Sequence, residues 1–100
     1  MNEIVILLGA DVDLVEHFGR FEDTAPGRGF EFDESFVKAC DLLKKHPQIA
    51  ARCGGSFRRL LMLEWNLGVF YKIVGQRILI HAIMDLRQNP SSIKRRLGLR

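Results

Sequence analysis

Cysteine is scarce in this chain of 100 residues, which has only Cys40 and Cys53. The two show neither CxxC spacing nor a neighbouring histidine cluster, so the usual signatures of a disulfide framework, a redox motif or a zinc site are missing. We therefore predict no metal and no cofactor. Cys40 is expected to pack in a helix, and Cys53 to lie in a loop.

Long apolar runs are also absent, since no stretch approaches the ~20 apolar residues that a membrane span requires. The opening apolar run, Ile4–Leu8, is short and follows Glu3, whereas a secretory signal needs a basic start and a longer apolar core. We interpret the run as a buried strand and predict a cytoplasmic protein without a membrane partner. A chain of 100 residues suffices for one core. We therefore predict one domain over residues 1–100, with a short basic tail from about residue 91.

Acidic residues are few in the second half of the chain. Residues 1–50 carry ten acidic and five basic side chains, a net charge of −5, whereas residues 51–100 carry two acidic and ten basic ones, a net charge of +8. Such a division indicates a basic face that meets an anionic partner. The simpler alternative is a solvated surface without a binding role.

Two helical segments follow the first strand. In the first, which ends near Asp23, apolar residues recur at intervals of three and four, so they are predicted to form one buried stripe. Its members are Val12, Leu14, Val15, Phe18 and Phe21. Asp11 or Asp13 is the predicted N-cap. The second helix is predicted from about Gly29 to Lys45, and the short turn between the helices predicts an antiparallel hairpin.

The period changes to that of strands after Gly54 and Gly55. The predicted strands are Phe57–Leu63, Gly68–Val74 and Arg77–Asp85, the last two joined by a two-residue turn. A short helical piece capped by Ser91 follows. The order β-α-α-β-β-β predicts an α+β fold in which the helix hairpin packs on one face of a small antiparallel sheet. The other face is then expected to be free for function.

Several short motifs along about 80 positions match one family in order and spacing. They are the turn and helix start Pro26-Gly27-Arg28-Gly29-Phe30-Glu31-Phe32, the helix end Leu42-Leu43-Lys44-Lys45-His46-Pro47, the strand Gly68-Val69-Phe70-Tyr71-Lys72-Ile73, and the ending Leu86-Arg87-Gln88-Asn89-Pro90. In these features the chain resembles the RelE/ParE toxins of type II toxin–antitoxin systems. The resemblance implies a growth-inhibiting toxin that a cognate antitoxin neutralises, and a higher-order assembly of the two proteins.

The resemblance leaves three functions open. A ParE-like toxin would bind and poison DNA gyrase, a RelE-like one would be a metal-independent endoribonuclease that cuts mRNA on the ribosome, and a third kind would be a non-toxic binding module. Two departures from the family's sequence pattern favour the ParE-like function. Asp85 stands where a histidine is often found, and the tail after Pro90 has neither the histidine nor the tyrosine that RelE-like nucleases place there.

Candidate site residues follow from these alternatives. Cleavage of RNA needs a base, an acid and cations near the phosphate. The endonuclease alternative would use His81, Lys72, Arg87 and either Arg58 or Arg59, since neighbouring strand residues point to opposite faces. A target or a nucleic acid would contact Arg58, Lys72, Arg87, Lys94, Arg95 and Arg96. Trp65 is predicted at the antitoxin contact.

His81 also has a simpler interpretation as a half-buried structural histidine. Strand alternation predicts that Leu79, His81, Ile83 and Asp85 share one face of the last strand, opposite Ile78, Ile80, Ala82 and Met84. On that geometry the Asp85 carboxylate could orient the His81 ring or form an ion pair with another residue.

Overall fold

The computed structural model describes residues 2–100. Its helices and strands are β1 (Glu3–Ile6), α1 (Leu8–Thr24), α2 (Arg28–Lys45), β2 (Ala51–Gly54), β3 (Phe57–Met62), β4 (Leu67–Val74), β5 (Arg77–Asp85) and α3 (Pro90–Leu97). A 3-10 turn, Leu63–Trp65, joins β3 to β4. The predicted α+β fold, with a helix hairpin between the first strand and the later ones, is confirmed.

The five strands form one sheet in the order β1-β5-β4-β3-β2. Strands β2 to β5 are antiparallel neighbours, whereas β1 lies parallel to β5 with Ile4 opposite Ile78. A parallel pair needs a long crossover, and the helix hairpin supplies it. Strand β2 is absent from the sequence-based prediction, so Cys53 lies in a strand and not in a loop. The glycines predicted to break the chain form the β2–β3 turn, where Gly55 has φ +54°.

The main core lies between the helix hairpin and one face of the sheet, here called the hairpin face. Helix α2 contributes Phe32, Phe36 and Leu43, which pack against fully buried sheet residues such as Tyr71 and Ile80. Burying each large apolar side chain stabilises the fold by about 1.5–3 kcal/mol. The helices touch closely at Gly29, where a Cβ atom would lie 2.9 Å from the Phe18 ring and carbonyl.

Helix α1 buries only part of the predicted stripe: Leu14 and Phe21 pack against the core, whereas the two valines point outward. Val12 and Val15 are 48% and 69% exposed, whereas Asp13 is only 7% exposed. The Asp13 carboxylate accepts a hydrogen bond from the Ile83 N–H at 2.9 Å, and His17 Nε2 donates to the Ile83 carbonyl at 2.7 Å. The two polar side chains thus satisfy the outer edge of β5 beyond the end of β1.

The same arrangement overturns the predicted N-cap of α1. The helix begins at Leu8 after an extended Leu7, so Asp11 and Asp13 lie inside it. Both carboxylates are therefore free of a capping role, and Asp13 instead ties α1 to the last strand.

The second face of the sheet carries a smaller apolar cluster that α3 covers. Phe70, Ala82 and Met84 pack there against Ile93 and Leu97 of the helix. The expectation that this face is wholly free is therefore wrong in the part beneath α3. The predicted cap is also corrected, since the Asn89 side chain, and not Ser91, accepts the first hydrogen bond, from the Ser91 N–H at 2.9 Å.

A β-bulge in β5 changes which residues share a face. Phe70 is opposite Ala82, but Tyr71 is opposite Ile80, so His81 is an extra residue in the ladder. Ile80 and Ile83 both belong to the main core, which contradicts the predicted strict alternation along this strand. Asp85 consequently shares the side of Ile83 and not that of His81.

Candidate functional site

A small aromatic and basic cluster lies on the second face, beside the part that α3 covers. It consists of Phe57, Lys72 and His81, and is here called the His81 cluster. The His81 and Phe57 rings meet edge to face with centroids 5.0 Å apart, and Lys72 Nζ lies 4.5 Å from the Phe57 centroid. Phe57 is almost fully buried, so the two polar groups stand on an apolar floor.

The surroundings of His81 favour its neutral form. Burial lowers the pKa of the imidazole from its usual value, and the positive charge of Lys72 lowers it further. A neutral imidazole can accept a proton, and the neighbouring ammonium can hold an anion. The cluster thus places a cation that can contact a phosphate oxygen beside a base that can take a proton from a neighbouring hydroxyl.

Asp85 does not serve as the orienting group for this histidine. Its carboxylate accepts hydrogen bonds from the Arg87 N–H, Nε and Nη2 at 2.8, 3.0 and 2.8 Å. These bonds lower the pKa of the Asp85 carboxyl to about 2. Arg87 is engaged by the same hydrogen bonds, so neither Asp85 nor Arg87 takes part in the His81 cluster.

Arg58 has a structural position on the hairpin side of β3. Its Nη1 donates to the Ala50 carbonyl at 2.7 Å, and the Tyr71 hydroxyl nearby donates to the Pro47 carbonyl at 2.7 Å. The two side chains hold the connection between α2 and β2. Arg59 lies opposite Phe70 and so faces the second side, with Lys72 and His81.

The basic residues of α3 divide in the same way. Arg96 binds Asp13 with Nη2 2.8 Å from the carboxylate, so it is held in an intramolecular ion pair. Arg95 is exposed, and Lys94 lines a cavity of about 180 Å³ together with Arg59. Of the predicted cations, the structure thus brings Arg59, Lys72 and Lys94 to the second face.

A groove runs between α2 and the edge of β3, on the hairpin side of the molecule. It encloses about 270 Å³ and is lined mostly by apolar side chains. They include Leu42 of α2 and Leu61 and Leu63 of the β3 end, which are 37%, 45% and 71% exposed. Strand β2 pairs only with Phe57–Arg59, so within residues 2–100 no strand covers the outer edge of residues 60–62. We call this the α2–β3 groove.

Trp65 forms part of the wall of the α2–β3 groove, although its ring belongs to the core. The ring is 5% exposed, packs against Phe21 and Phe32, and is covered by the Arg28 guanidinium at 3.9 Å from the ring centre. Its Nε1–H is buried and has no hydrogen-bond partner among the described residues. A buried donor without a partner costs about 1–3 kcal/mol.

Two features are absent from the part of the chain from residue 2 onward. No three His, Cys, Asp or Glu side chains in it come together as a metal site. None of its helices combines the length and apolar character needed to cross a bilayer.

Comparison with known proteins identifies the fold. No protein-family model and no curated protein matches the chain. The structure is similar to a chain of the solved structure "Chromosomal ParDE TA system from P. aeruginosa", with a TM-score of 0.75 and 19% sequence identity. The match covers 85% of this chain and 96% of that one. The chain thus has the RelE/ParE-like fold that its sequence motifs predict.

Sequence reasoning missed the polar side chains that bind Ile83. Asp13 and His17 are four residues apart, so they occupy one face of α1, and that spacing was the available signal. It was outweighed by the valines on the opposite side of the helix. Arg20 completes the arrangement, because its Nη2 donates to His17 Nδ1 at 3.0 Å.

Proposed function

We propose that this chain is the toxin of a toxin–antitoxin pair and that a segment of the antitoxin occupies the α2–β3 groove. The observation that carries the proposal is an uncovered strand edge beside an apolar groove, on a RelE/ParE-like fold. An incoming strand can pair with the edge of residues 60–62, and an amphipathic helix can lie along α2. The toxin–antitoxin pair would then assemble further into a higher-order complex.

Trp65 gives the groove a second means of recognition. Its Nε1–H is buried and unpaired in the free chain, so it can donate to a carbonyl of the incoming segment only if the covering side chains, such as Arg28, move aside on binding; the bond would then remove the cost of leaving the donor unsatisfied. Trp65→Phe keeps the ring and removes the donor, so it should weaken antitoxin binding by roughly fivefold, the equivalent of one hydrogen bond of about 1 kcal/mol.

The antitoxin partner is tested by expressing the chain together with the product of its adjacent reading frame. We expect a complex that survives purification, and we expect Leu63→Gln to weaken it because that exposed leucine lies in the groove. Val74→Gln, at an exposed apolar position at the far end of β4, is the control. A chain that purifies alone at native expression levels argues against the pair.

For the target we propose DNA gyrase, bound as a poison without catalysis. Two things support this choice. The fold is similar to that of a chain from a ParDE system, and the residues that could complete an acid–base site around His81 are engaged elsewhere, Asp85 by Arg87 and Arg58 by backbone carbonyls. The purified chain should inhibit supercoiling by gyrase and leave ribosome-bound mRNA intact.

The second candidate is a ribosome-dependent mRNA endonuclease, favoured by the position of Arg59, Lys72 and His81 on one face. The His81→Ala variant separates the candidates. A gyrase poison should retain its toxicity, whereas a nuclease that uses this imidazole should lose roughly a hundredfold or more in cleavage rate. If neither the wild type nor the folded His81→Ala variant inhibits supercoiling or cleaves mRNA, the third function remains, a binding module.

A further inference from the structure

Helix α1 carries a second apolar stripe that the fold does not bury. Leu8, Val12 and Val15 are 79%, 48% and 69% exposed and follow one another at helical spacing on the side away from the sheet. The inner side of the helix uses Ala10, Asp13 and other residues to contact β5. The outer stripe therefore does not contribute to the core.

The stripe continues onto α2. Phe30 and Val37 are 62% and 57% exposed, and the Phe30 ring meets Phe18 edge to face at 5.0 Å. Two adjoining depressions, one between the helices and one along α2, share Phe30 and Asp33 as lining residues. We call the surface made by Leu8, Val12, Val15, Phe30 and Val37 the outer hairpin strip. Contiguous exposed apolar surface of this kind marks interaction sites on soluble proteins.

Acidic side chains border this strip. Asp11 and Asp33 line the depression between the helices, and Asp33 and Glu34 line the one along α2. Glu16 lies one helical turn from Val12, on the far flank of the stripe. The depression along α2 has one basic lining residue, Lys38, and the depression between the helices has none among the described residues. Burial raises the pKa of the Asp33 carboxyl, and a cation placed beside it would lower that pKa again.

The charges decide what kind of partner fits. A second copy bound through the same strip would be related by a two-fold axis and would set acidic borders against each other, which is unfavourable. A helix with an apolar face flanked by lysine or arginine complements both the strip and its borders.

We propose that the outer hairpin strip binds a basic amphipathic helix of a partner protein. The helix would lay its apolar face along the α1–α2 seam between Val15 and Phe30, with its cations opposite Asp11, Asp33 and Glu34. This surface lies on a different side of α2 from the α2–β3 groove, so the inference does not depend on the proposed function.

The test uses the purified chain and three fluorescent peptides of about 18 residues, long enough for five helical turns. One is a leucine–lysine amphipathic helix, the second has glutamate in place of lysine, and the third has the composition of the first in scrambled order. Fluorescence anisotropy should show that the amphipathic basic peptide binds at least tenfold more tightly than either of the others. Equal binding of the scrambled peptide would reduce the effect to bulk charge and overturn the proposal.

Paired variants locate the site. Val15→Gln with Phe30→Gln should weaken binding of the basic peptide roughly tenfold or more, because both positions are exposed and the fold does not depend on them. Ile49→Gln with Val74→Gln removes apolar side chains that are 53% and 55% exposed, outside both the strip and the α2–β3 groove, and should leave the affinity unchanged. If the second pair weakens binding and the first does not, the peptide occupies another surface and the proposal fails.

The acidic border and the second-copy alternative need one measurement each. Asp33→Asn with Glu34→Gln should weaken binding of the basic peptide. Binding of the glutamate peptide should stay unchanged or become slightly tighter. Sedimentation of the chain without peptide should show a monomer. A dimer that Val15→Gln with Phe30→Gln dissociates would mean that a second copy covers the strip, which overturns the proposed partner.

Discussion

The side chain of Asp13 connects three parts of the molecule that are far apart in the chain. Asp13 lies in α1. Its carboxylate accepts hydrogen bonds from the Ile83 N–H of β5 and from Nη1 and Nη2 of Arg96 in α3. Because the carboxylate is almost buried, each of these bonds replaces one that water would otherwise make. The residue thus fixes both α1 and α3 against the bulged end of β5.

We predict that Asp13→Ala destabilises the protein by about 2–3 kcal/mol, because it leaves the buried Ile83 N–H without an acceptor and Arg96 without its partner. Asp13→Asn, which keeps an acceptor but loses the charge, should cost less. The free energy of unfolding in urea measures both. Asp11→Ala, two residues away and exposed, is the control and should change stability by less than about 0.5 kcal/mol. Equal effects at the two positions would contradict this account.

The His81 imidazole provides a pH-dependent prediction. Its folded pKa lies below the unfolded value of about 6.5, so the unfolded chain binds the proton more readily. The contribution of His81 to stability is therefore full above that pH and is lost as the pH falls through the unfolded and then the folded pKa. His81→Gln should flatten the dependence of unfolding free energy on pH in this window.

Lys72 is the second cause of that lowered pKa, after burial. Lys72→Met should raise the pKa of His81 part of the way back to its usual value, as followed by NMR titration of the ring protons. Lys45→Met, a change of the same charge at the end of α2, should leave the titration as it was. A midpoint that does not rise in Lys72→Met would show that the ammonium does not act on the imidazole.

Among the structural elements, those with a strong period were predictable and those set by distant contacts were not. The α2 bounds and the strands β3 to β5 were predicted to within a residue or two, because their apolar spacing is regular. Strand β2 has four residues and no apolar alternation. The orientation of α1 depends on Ile83, 70 residues away, and the bulge at His81 on the register with Tyr71. Neither dependence is visible in local sequence.

The candidate site residues were also predictable only in part, because their contacts depend on distant residues. The basic character of the second half predicted a basic face, and Arg59 and Lys72 lie together on the second face of the sheet. The engagement of Arg58, Arg87 and Arg96 by other groups could not be predicted, because an arginine that binds a carboxylate and one that awaits a ligand look alike in sequence.

Helix α3 is held by few contacts, and its stability should depend on its apolar side. Leu97→Ala removes contacts with the cluster of Phe70 and Met84, and we expect it to cost about 1–2 kcal/mol, below the range for fully buried leucines. Arg95→Ala, on the exposed side of the same helix, should be nearly neutral. Urea unfolding of both variants tests the difference, and a neutral Leu97→Ala would mean that α3 does not stabilise the second face.

At the scale of the whole molecule, the two charge halves of the sequence occupy different layers. The acidic residues of α1 and α2 border the outer hairpin strip, whereas Arg59, Lys72 and Lys94 face outward from the sheet on the other side. The two surfaces are thus suited to partners of opposite charge, and a partner on one does not obstruct the other. The α2–β3 groove, between these layers, remains accessible from the edge of the sheet.

The parallel pairing of β1 with β5 has a consequence for how the chain folds. The Leu7 N–H donates to the Ile80 carbonyl across more than seventy residues, whereas β2 to β5 pair with their sequence neighbours. Closing so long a loop is slow relative to forming hairpins. In refolding followed by pulsed hydrogen exchange, the Leu7 amide should become protected after the amides shared by β4 and β5, and simultaneous protection would contradict this order. During synthesis, β1 therefore leaves the ribosome well before β5 and has no partner strand until β5 has followed it.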